Sequence, residues 1–417
     1  MTETTRNWAG NIAYGARAVH HPRSLDELQQ IVRGAARLRA LGSRHSFNRI
    51  ADTDDELIAM RGLNRVLAID PASRTVTVEG GITYGELGPV LHEAGFALHN
   101  LASLPHISVV GAVATATHGS GNRNGNLATS VAALDVVTAS GEVISFRRGD
   151  PDFEGAVVNL GALGIVSRVT LDLEPRFDVR QNVYVDLPVP ALLDNFEAIT
   201  SSAYSVSLFT SWQGDTVDQL WLKARGDASP PPDIFGARPA GKALHPIAAI
   251  DPAPVTAQMN ELGPWHLRLP HFRLEFTPSV GAELQSEYFV ARADAAAAFA
   301  ALRRVQHRIA PQLLVSEIRT VAADALWLSM SEGRDSVGFH FTWKPDWPAV
   351  ERILPEIEVA LARFAVRPHW GKLFTMDGRT LRSRYSRLGD FRTLANRLDP
   401  GGKFRNAFVA DYVFGPD

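Results

Sequence analysis

The sequence contains no cysteine among its 417 residues. This absence excludes disulfides, thiolate nucleophiles, cysteine-ligated zinc and iron–sulfur clusters. It also excludes a cysteinyl link to a cofactor. Any chemistry must therefore come from histidine, lysine, arginine, carboxylates, hydroxyls or a bound cofactor.

Long apolar runs and a strong charge of one sign are also missing. No apolar stretch approaches the roughly 20 residues that span a bilayer, and the N-terminus, MTETTRNWAG, lacks the pattern of a signal peptide. The formal net charge of −3 gives no support to binding of nucleic acid or acidic membranes. We therefore expect a monomeric, cytoplasmic protein with neither kind of partner.

Common ligand-binding fingerprints are absent as well. The chain has neither G-x-x-x-x-G-K-[ST] nor a G-x-G-x-x-G set between a strand and a helix, so an NAD-type fold has no fingerprint. His99, His106 and His118 lie in one region, but no H-E-x-x-H pattern or nearby carboxylate supplies metal-ligand spacing. We expect no metal site.

The chain is long enough for two or three domains, and its first part reads as mixed helices and strands. Capping boxes at 24–27 and 83–86 predict two helices, the first ending near Leu38 and the second before Gly95. A strand is expected at 39–41 and another at 74–79, with a hairpin around 140–141 and a last strand that ends at Pro175.

The second part shows strands in sequence with a few covering helices. Strands are expected at 206–212, 218–224, 272–277, 284–290, 313–321 and 337–343, and helices at 294–309 and 348–364. Pro348 suits the first turn of the last helix. A Pro-, Ala- and Gly-rich excursion covers 226–256. This is an α+β pattern.

Two loops of small residues, LGSRHSFN (41–48) and LASLPHISVVGAVATATHGSGN (101–122), let backbone N–H groups approach a ligand closely. They are either a pair of surface turns or a site where amide donors hold a diphosphate. On spacing alone, His45 remains open as a solvated side chain, a metal ligand, a base or an attachment point.

Three short segments in the second part combine charged and aromatic residues. In EIR, Glu317 and Arg319 point to one face of a strand, as do His340 and Thr342 in HFTW. The alternative is that Glu317 and Arg319 form a surface ion pair, which is common and weak. The apolar or small flanking residues, LLVS and TVAA, indicate a strand that is not wholly exposed, which favours a functional site. RPHWGKLF (367–374) adds His369, Trp370 and Lys372. If this segment has only a structural role, Trp370 packs in the core and Lys372 is solvated.

These motifs together resemble a known family. LGSRHSFN is similar to the G-x-G-H-S flavin-attachment loop of FAD-linked oxidases of the vanillyl-alcohol oxidase superfamily, and ASLPHISVVGAVATATHGSG resembles their second FAD-binding segment. NWAGN, SEIRTVAAD, HFTW and RPHWGK resemble the alditol (xylitol) oxidase branch. The resemblance covers nearly the whole chain, with several long motifs in the same order.

The resemblance implies roles for individual residues. His45 matches the histidine that bonds covalently to the flavin 8-methyl group. Other cofactor contacts match Leu41, Gly42, Ser43, Arg44, Ser46, Phe47, Ala102, Ser103, Ser108, Gly111, Thr115, Ala116, Thr117, His118, Val166 and His369. The polyol site matches Ser103, Gln285, Glu317, Arg319, His340, Thr342 and Lys372. Ala102 matches a position beside the ring where a small residue is associated with oxygen access.

Arg44 departs from the pattern, because it replaces the second glycine of G-x-G-H-S. If that position needs a positive φ, arginine fits it poorly. An arginine there is alternatively placed to face the diphosphate.

The implied activity is oxidation of a terminal alditol hydroxyl by hydride transfer to FAD, with O2 as acceptor and hydrogen peroxide as product. Lys372 and Arg319 would be catalytic: both stabilise the developing alkoxide, and Lys372 accepts the proton if burial lowers its pKa. Glu317 would bind distal hydroxyls. The alternatives are an aldonolactone oxidase or dehydrogenase, a non-catalytic flavin- or sugar-binding protein, and a metal-dependent hydrolase.

The expected fold is α+β, with a vanillyl-alcohol-oxidase-type (PCMH-like) FAD-binding domain at 1–175. Residues from about 376 to 417, which include GGKFRNAF, are expected to complete that domain. A substrate domain with a mostly antiparallel sheet is expected at 176–375.

Overall fold

The computed structural model describes residues 5–416 apart from 227, 229–230, 232, 249 and 277–282. In chain order the strands are β1 (Ala18–His20), β2 (Leu38–Leu41), β3 (Glu56–Ala59), β4 (Val66–Asp70), β5 (Thr75–Glu79), β6 (Phe96–Ala97), β7 (Val131–Val137), β8 (Val143–Arg147), β9 (Ile165–Asp172), β10 (Glu174–Pro175), β11 (Asp178–Pro188), β12 (Ser205–Thr210), β13 (Thr216–Arg225), β14 (Arg238–Pro239), β15 (Gly263–Pro264), β16 (Leu284–Ala291), β17 (Leu313–Val321), β18 (Ser336–Trp343) and β19 (Arg367–Pro368). The α-helices are α1 (Leu25–Gly34), α2 (Tyr84–Glu93), α3 (Val109–Ala114), α4 (Phe153–Val157), α5 (Val189–Asp194), α6 (Phe196–Thr200), α7 (Ala295–Arg304), α8 (Gln306–Ile309), α9 (Trp347–Leu361), α10 (Gly378–Arg382), α11 (Leu388–Leu398) and α12 (Ala407–Val409).

The N-terminal part contains three small sheets. One is a three-stranded parallel sheet in the order β1-β3-β2, and the second is a five-stranded antiparallel sheet in the order β4-β5-β9-β7-β8. The third is the antiparallel pair of β6 and β10. The predicted hairpin forms between β7 and β8, and the predicted capping box at Thr83 and Glu86 begins α2. The sequence pattern therefore identified α2, β2, β5 and the β7–β8 hairpin, but it gave no prediction for β1, β3 and β4.

Helix α1 differs from the prediction at both ends. Ser24 accepts a hydrogen bond from the Glu27 amide, but the Glu27 carboxylate binds the Arg23 amide, so only half of the capping box forms. The helix ends at Gly34 rather than near Leu38, because Leu38 already pairs with Glu56 in the parallel sheet. Strand β2, which contains Leu38, leads directly into the loop that carries His45.

The second part is built on a nine-stranded sheet in the order β14-β11-β13-β12-β17-β18-β16-β19, with β15 on β11. All of its recorded pairings are antiparallel, as predicted. Pro348 lies in the first turn of α9, also as predicted. The predicted helix at 294–309 is interrupted at Val305, whose dihedral angles (φ −106°, ψ 8°) leave the helical region and separate α7 from α8.

The predicted strand at 272–277 is wrong over the residues described, 272–276; residue 277 lies outside them. Phe272 makes one isolated bridge, to Val255. The reason is that the amides of His271 and Phe272 both donate to the Ser103 carbonyl (3.0 and 3.2 Å), so this segment is fixed against the loop at 101–122 instead of a sheet. Within the excursion at 226–256, β14 pairs with β11 and Pro231 is the described part of the triple-proline segment.

The C-terminal segment lies against the N-terminal part. The Leu38 amide donates to the Lys403 carbonyl (2.9 Å), and Arg39 Nη1 donates to the Phe404 carbonyl (2.8 Å). Asn406 Nδ2 donates to the Asp52 carbonyl (2.8 Å). The domain boundaries at 175 and 375 stay a prediction. The largest apolar cluster extends from Val76 in the five-stranded sheet to Phe341 in the nine-stranded sheet, so both parts share a continuous core.

Candidate active site

A cavity of about 560 Å³ lies where the two small-residue loops meet one face of the nine-stranded sheet. The predicted site residues that line it are Leu41, Gly42, Ser43, Arg44, His45, Ser46, Phe47, Ala102, Ser103, Ser108, Gly111, Thr115, Thr117, His118, Val166, Gln285, Glu317, Arg319, His340, Thr342, His369 and Lys372. Ala116 does not line the cavity; it is fully buried behind the wall, with φ 52°. The fold thus brings residues from both halves of the chain to one space.

The two loops contact each other through serine and glycine. Ser43 Oγ accepts a hydrogen bond from the Ser108 amide (3.1 Å). A Cβ at Gly42 would lie 2.5 Å from Ser108 Oγ, and one at Gly111 would lie 2.6 Å from it. Glycine at both positions lets the Ser108 hydroxyl lie close to the backbone, and loops of such small residues suit a phosphate-bearing ligand.

Arg44 adopts the left-handed conformation that the glycine pattern predicts, with φ 65°. Its exposed guanidinium donates to the Arg6 carbonyl (3.3 Å), and its own carbonyl accepts from the Trp8 amide (2.8 Å). The arginine therefore occupies the strained position that the family normally fills with glycine.

The NWAGN segment holds the His45 loop from the N-terminal side. Asn7 Nδ2 donates to the Ser46 carbonyl (2.9 Å) and Asn11 Nδ2 to the Phe47 carbonyl (3.0 Å). The ring of Trp8 stacks on that of His45, with centroids 5.0 Å apart and planes 21° from parallel. These contacts fix the orientation of the imidazole.

His45 itself provides the test of whether the cavity suits FAD. Its Nδ1 is buried and has no hydrogen-bond partner among the described residues. Burial lowers the pKa of His45 to about 4, so the ring is neutral at pH 7. A neutral imidazole with an unpartnered nitrogen, in a residue that lines a cavity beside two glycine-containing loops, fits a flavin dinucleotide.

The opposite wall carries a row of charged side chains across three neighbouring strands. Glu287 on β16, His340 on β18 and Glu317 on β17 are register partners, so they lie side by side on one face. Glu287 is fully buried and binds Lys372 Nζ (2.6 Å), Arg319 Nη2 (2.8 Å) and His118 Nε2 (3.1 Å). Burial alone would raise the pKa of Glu287, but Lys372 and Arg319 hold it well below its usual range.

His340 connects Lys372 to Thr342. Lys372 Nζ lies 2.7 Å from His340 Nδ1, and His340 Nε2 lies 3.0 Å from Thr342 Oγ1. Because the ammonium is a donor, Nδ1 accepts and the ring proton is assigned to Nε2. Burial, together with the charge of Lys372, lowers the pKa of His340 to about 4. Burial also lowers the pKa of Lys372, against the opposing charge of Glu287.

Glu317 and Arg319 project from β17 to the same face, as predicted. Their closest recorded approach is 3.6 Å, and Arg319 Nη1 donates to Ser103 Oγ (3.4 Å). Burial acts to raise the pKa of Glu317, but Arg319 and His271 keep it well below its usual range. Arg319 keeps its charge: burial acts to lower its pKa, but Glu317 and Glu287 raise it.

The remaining predicted residues have clear contacts. Gln285 Nε2 donates to Glu283 Oε1 (2.6 Å), and His369 Nδ1 accepts from the Gly371 amide (3.0 Å). Trp370 is buried and donates to the Leu328 carbonyl (2.7 Å), which matches its structural interpretation.

Sequence reasoning missed Glu287, His271 and Lys223. Glu287 stands two residues after Gln285 on a predicted strand, so the alternation that places Gln285 in the site also places Glu287 there. No comparable signal marks His271, which reaches the site from an irregular segment.

Over the described parts of the chain, no group of three or more His, Asp or Glu side chains is arranged to hold a metal ion. None of the helices in those parts is long and apolar enough to cross a bilayer.

A substrate cavity built of charged side chains, set against glycine loops and a stacked histidine, defines a flavin-dependent oxidoreductase. The profile of the FAD binding domain family matches residues 16–147, and that of the D-arabinono-1,4-lactone oxidase family matches residues 282–412. The chain is 49% identical to an alditol oxidase of a Streptomyces species over 418 residues, covering 100% of both chains. It is 31% identical to an L-gulono-1,4-lactone dehydrogenase of Mycobacterium tuberculosis over 437 residues, again covering 100% of both.

The fold is also that of a cholesterol oxidase from B. sterolicum, with a TM-score of 0.78 at 16% identity over 98% of this chain and 96% of that one. The chain belongs to the alditol oxidase branch of the FAD-linked oxidases of the vanillyl-alcohol oxidase superfamily, as its motifs predicted.

Proposed function

We propose that this protein oxidises the terminal CH2OH of alditols such as xylitol and sorbitol to the aldehyde, with O2 reduced to hydrogen peroxide. The observation that carries the proposal is the buried set of Lys372, Arg319, Glu287 and His340 on the wall facing the glycine loops. Such a wall recognises a hydroxylated, uncharged chain better than an apolar substrate.

The cofactor is FAD, held by the loops at 41–48 and 101–122 and attached covalently to His45. Bound there, FAD would supply the acceptor for the hydride of the substrate carbon and the route for the electron pair to O2. His45 supports the attachment, because its ring is neutral at pH 7 and its buried Nδ1 is unpartnered among the described residues. Ala102 leaves room beside the ring for O2.

Lys372 and Arg319 bind the reacting hydroxyl and stabilise the alkoxide as its proton leaves. As that proton leaves, the Lys372 ammonium gives one of its own protons to His340 Nδ1, which lies 2.7 Å away, and takes up the hydroxyl proton in its place, so Lys372 ends the step as an ammonium and His340 as an imidazolium. The resulting imidazolium lies 3.6 Å from Glu287 Oε2, whose negative charge stabilises it. The lowered pKa of His340 keeps its ring neutral at pH 7, so that Nδ1 has a lone pair for the proton, and the lowered pKa of Lys372 makes its ammonium a better proton donor.

The distal hydroxyls of the polyol are bound on the other side of Arg319. Glu317 accepts from them, and Ser103, Thr342 and Gln285 add neutral hydrogen bonds. A charged carboxylate forms roughly twice as strong a hydrogen bond as a neutral group, so Glu317 contributes most to affinity for long chains.

The test is peroxide release from the purified holoprotein with xylitol, with L-gulono- and D-arabinono-1,4-lactone as the competing substrates. The lactone alternative has support in the profile that matches residues 282–412. Peroxide from xylitol and not from the lactones is expected. The reverse result overturns the proposal in favour of an aldonolactone oxidase. A yellow protein that no polyol bleaches without oxygen would instead be a flavin-binding protein.

Three predictions from the sequence complete the proposal. The partners are a small polyol and O2, the protein is a monomer, and it works in the cytoplasm. Size-exclusion chromatography with light scattering tests the monomer, and fractionation of cells tests the location.

A further inference from the structure

Lys223 is a buried lysine behind the substrate side of the cavity. It lies on β13, its side chain is 1% exposed, and its ammonium has three acceptors. These are the carbonyls of Leu269 (2.5 Å) and Pro270 (2.9 Å) and Nδ1 of His271 (3.1 Å). A lysine is almost never fully buried unless its charge is used, and none of the steps above uses Lys223.

His271 connects Lys223 to Glu317 through hydrogen bonds on its two ring nitrogens. Because Nδ1 faces an ammonium donor, it accepts, and the proton of the neutral ring is on Nε2. Nε2 then donates to Glu317 Oε1 at 2.7 Å. The three side chains form a directed series of hydrogen bonds that leaves Glu317 an anion of fixed orientation. Burial lowers the pKa of Lys223 to about 7, while the charge of Glu317 acts against that shift.

The same ammonium fixes the backbone that positions Ser103. Lys223 binds the carbonyls of Leu269 and Pro270, and the amides of His271 and Phe272 donate to the Ser103 carbonyl. Two residues assigned to the distal hydroxyls, Glu317 and Ser103, therefore depend on one buried lysine. Lys372 is held by other partners, because its side chain binds Glu287 and His340.

We infer that Lys223 and His271 are positioning residues that set the preference of this site for long polyols over short diols, through Glu317 and Ser103. The inference rests on the proposed function. Neither residue binds the reacting hydroxyl, and Arg319, which lies 3.6 Å from Glu317, keeps its bond to Glu287, so we expect their loss to weaken binding of the distal hydroxyls much more than it slows the chemical step.

The experiment compares holoprotein variants with sorbitol and with 1,2-propanediol, which lacks the distal hydroxyls. In Lys223→Met we expect KM for sorbitol to rise about tenfold or more, as loss of a charged hydrogen bond does. We expect kcat for sorbitol and both parameters for the diol to change less than about threefold. His271→Leu should reproduce the effect, and His271→Gln, which keeps a donor toward Glu317, should recover part of it.

Lys403→Met is the matched control, because Lys403 Nζ also binds two backbone carbonyls, those of Val32 and Ala139, at a place that does not line the cavity. Equal losses with sorbitol and diol, or the same pattern in Lys403→Met, would overturn the inference in favour of a purely structural lysine. An unchanged KM for sorbitol in Lys223→Met would also overturn it. Failure of the proposed function looks different, since the wild type would then release no peroxide from any polyol.

Discussion

Glu287 Oε2 accepts a hydrogen bond from Lys372 Nζ at 2.6 Å, and the carboxylate that does so is fully buried. Its other oxygen binds Arg319 Nη2 at 2.8 Å. One anion therefore binds both cations that we assign to the alkoxide, and Glu317 supplies a second negative charge 3.6 Å from Arg319. Without Glu287, Lys372 would lose its carboxylate partner and Arg319 would keep only Glu317, at a large cost in free energy for side chains so little exposed to water.

Glu287→Gln should therefore damage both stability and catalysis. The free energy of unfolding should fall by about 3–5 kcal/mol, as when one partner of a buried pair is removed. The value of kcat should fall by about 100-fold or more, because Lys372 and Arg319 lose their orientation. Chemical denaturation and steady-state kinetics with xylitol measure the two effects.

Glu358→Gln is the control for that variant. Glu358 is a partly buried carboxylate that binds Tyr288 Oη (2.9 Å) and the Thr375 amide (2.7 Å) without lining the cavity. Burial raises its pKa, so a neutral amide replaces it at small cost, about 1 kcal/mol. A Glu287→Gln enzyme as active as this control would contradict the charge-balancing role.

His45→Ala should abolish covalent attachment of the flavin. The wild-type polypeptide is expected to keep yellow fluorescence after denaturation in SDS, and the variant to release it. Trp8→Ala should still attach the flavin, but more slowly, since the stacked indole at 5.0 Å no longer orients the imidazole. Flavin that leaves the denatured wild type would show that the attachment is wrong.

The sequence predicts most of the fold and part of the site for identifiable reasons. Strand β17 matches its predicted range, since its apolar flanks and the EIR alternation are local features. The same alternation on β16 would have predicted that Glu287 lies in the site, because it stands two residues after Gln285. The path of 269–272 is different, because it is fixed by hydrogen bonds to Ser103, which is far away in the sequence. His271, and with it the role of Lys223, could not be predicted.

Arg44→Gly should stabilise the protein slightly. Arginine at φ 65° destabilises the folded protein by about 1–2 kcal/mol relative to glycine. Glycine in turn raises the entropy of the unfolded chain, which offsets about 0.5–1 kcal/mol of that gain. The net gain in the free energy of unfolding should be at most about 1 kcal/mol. Arg44→Ala is the matched control, because it removes the guanidinium and keeps the strain. A loss of stability or of bound FAD in both variants would show that the guanidinium itself is needed.

Stability should fall as the pH falls below about 6.5. Burial lowers the pKa of His271 and His340 to about 4 and also lowers those of His118 and His369. Between about pH 4 and 6.5 the unfolded chain therefore binds more protons at these residues than the folded chain, so each step toward acid favours unfolding. Each histidine contributes up to about 1.4 kcal/mol per pH unit in that range.

Thermal unfolding of the holoprotein from pH 7 to pH 5 measures this dependence, and His340→Asn separates one contribution. The variant has one histidine fewer to protonate on unfolding, so its melting temperature should fall less steeply with acid than that of the wild type, whatever its stability at pH 7. His307→Asn is the control for the substitution itself, since His307 lies in α8, is exposed and does not line the cavity. Parallel slopes for His340→Asn and the wild type would mean that the pKa of His340 is the same in the folded and the unfolded chain, which would contradict its lowering by burial.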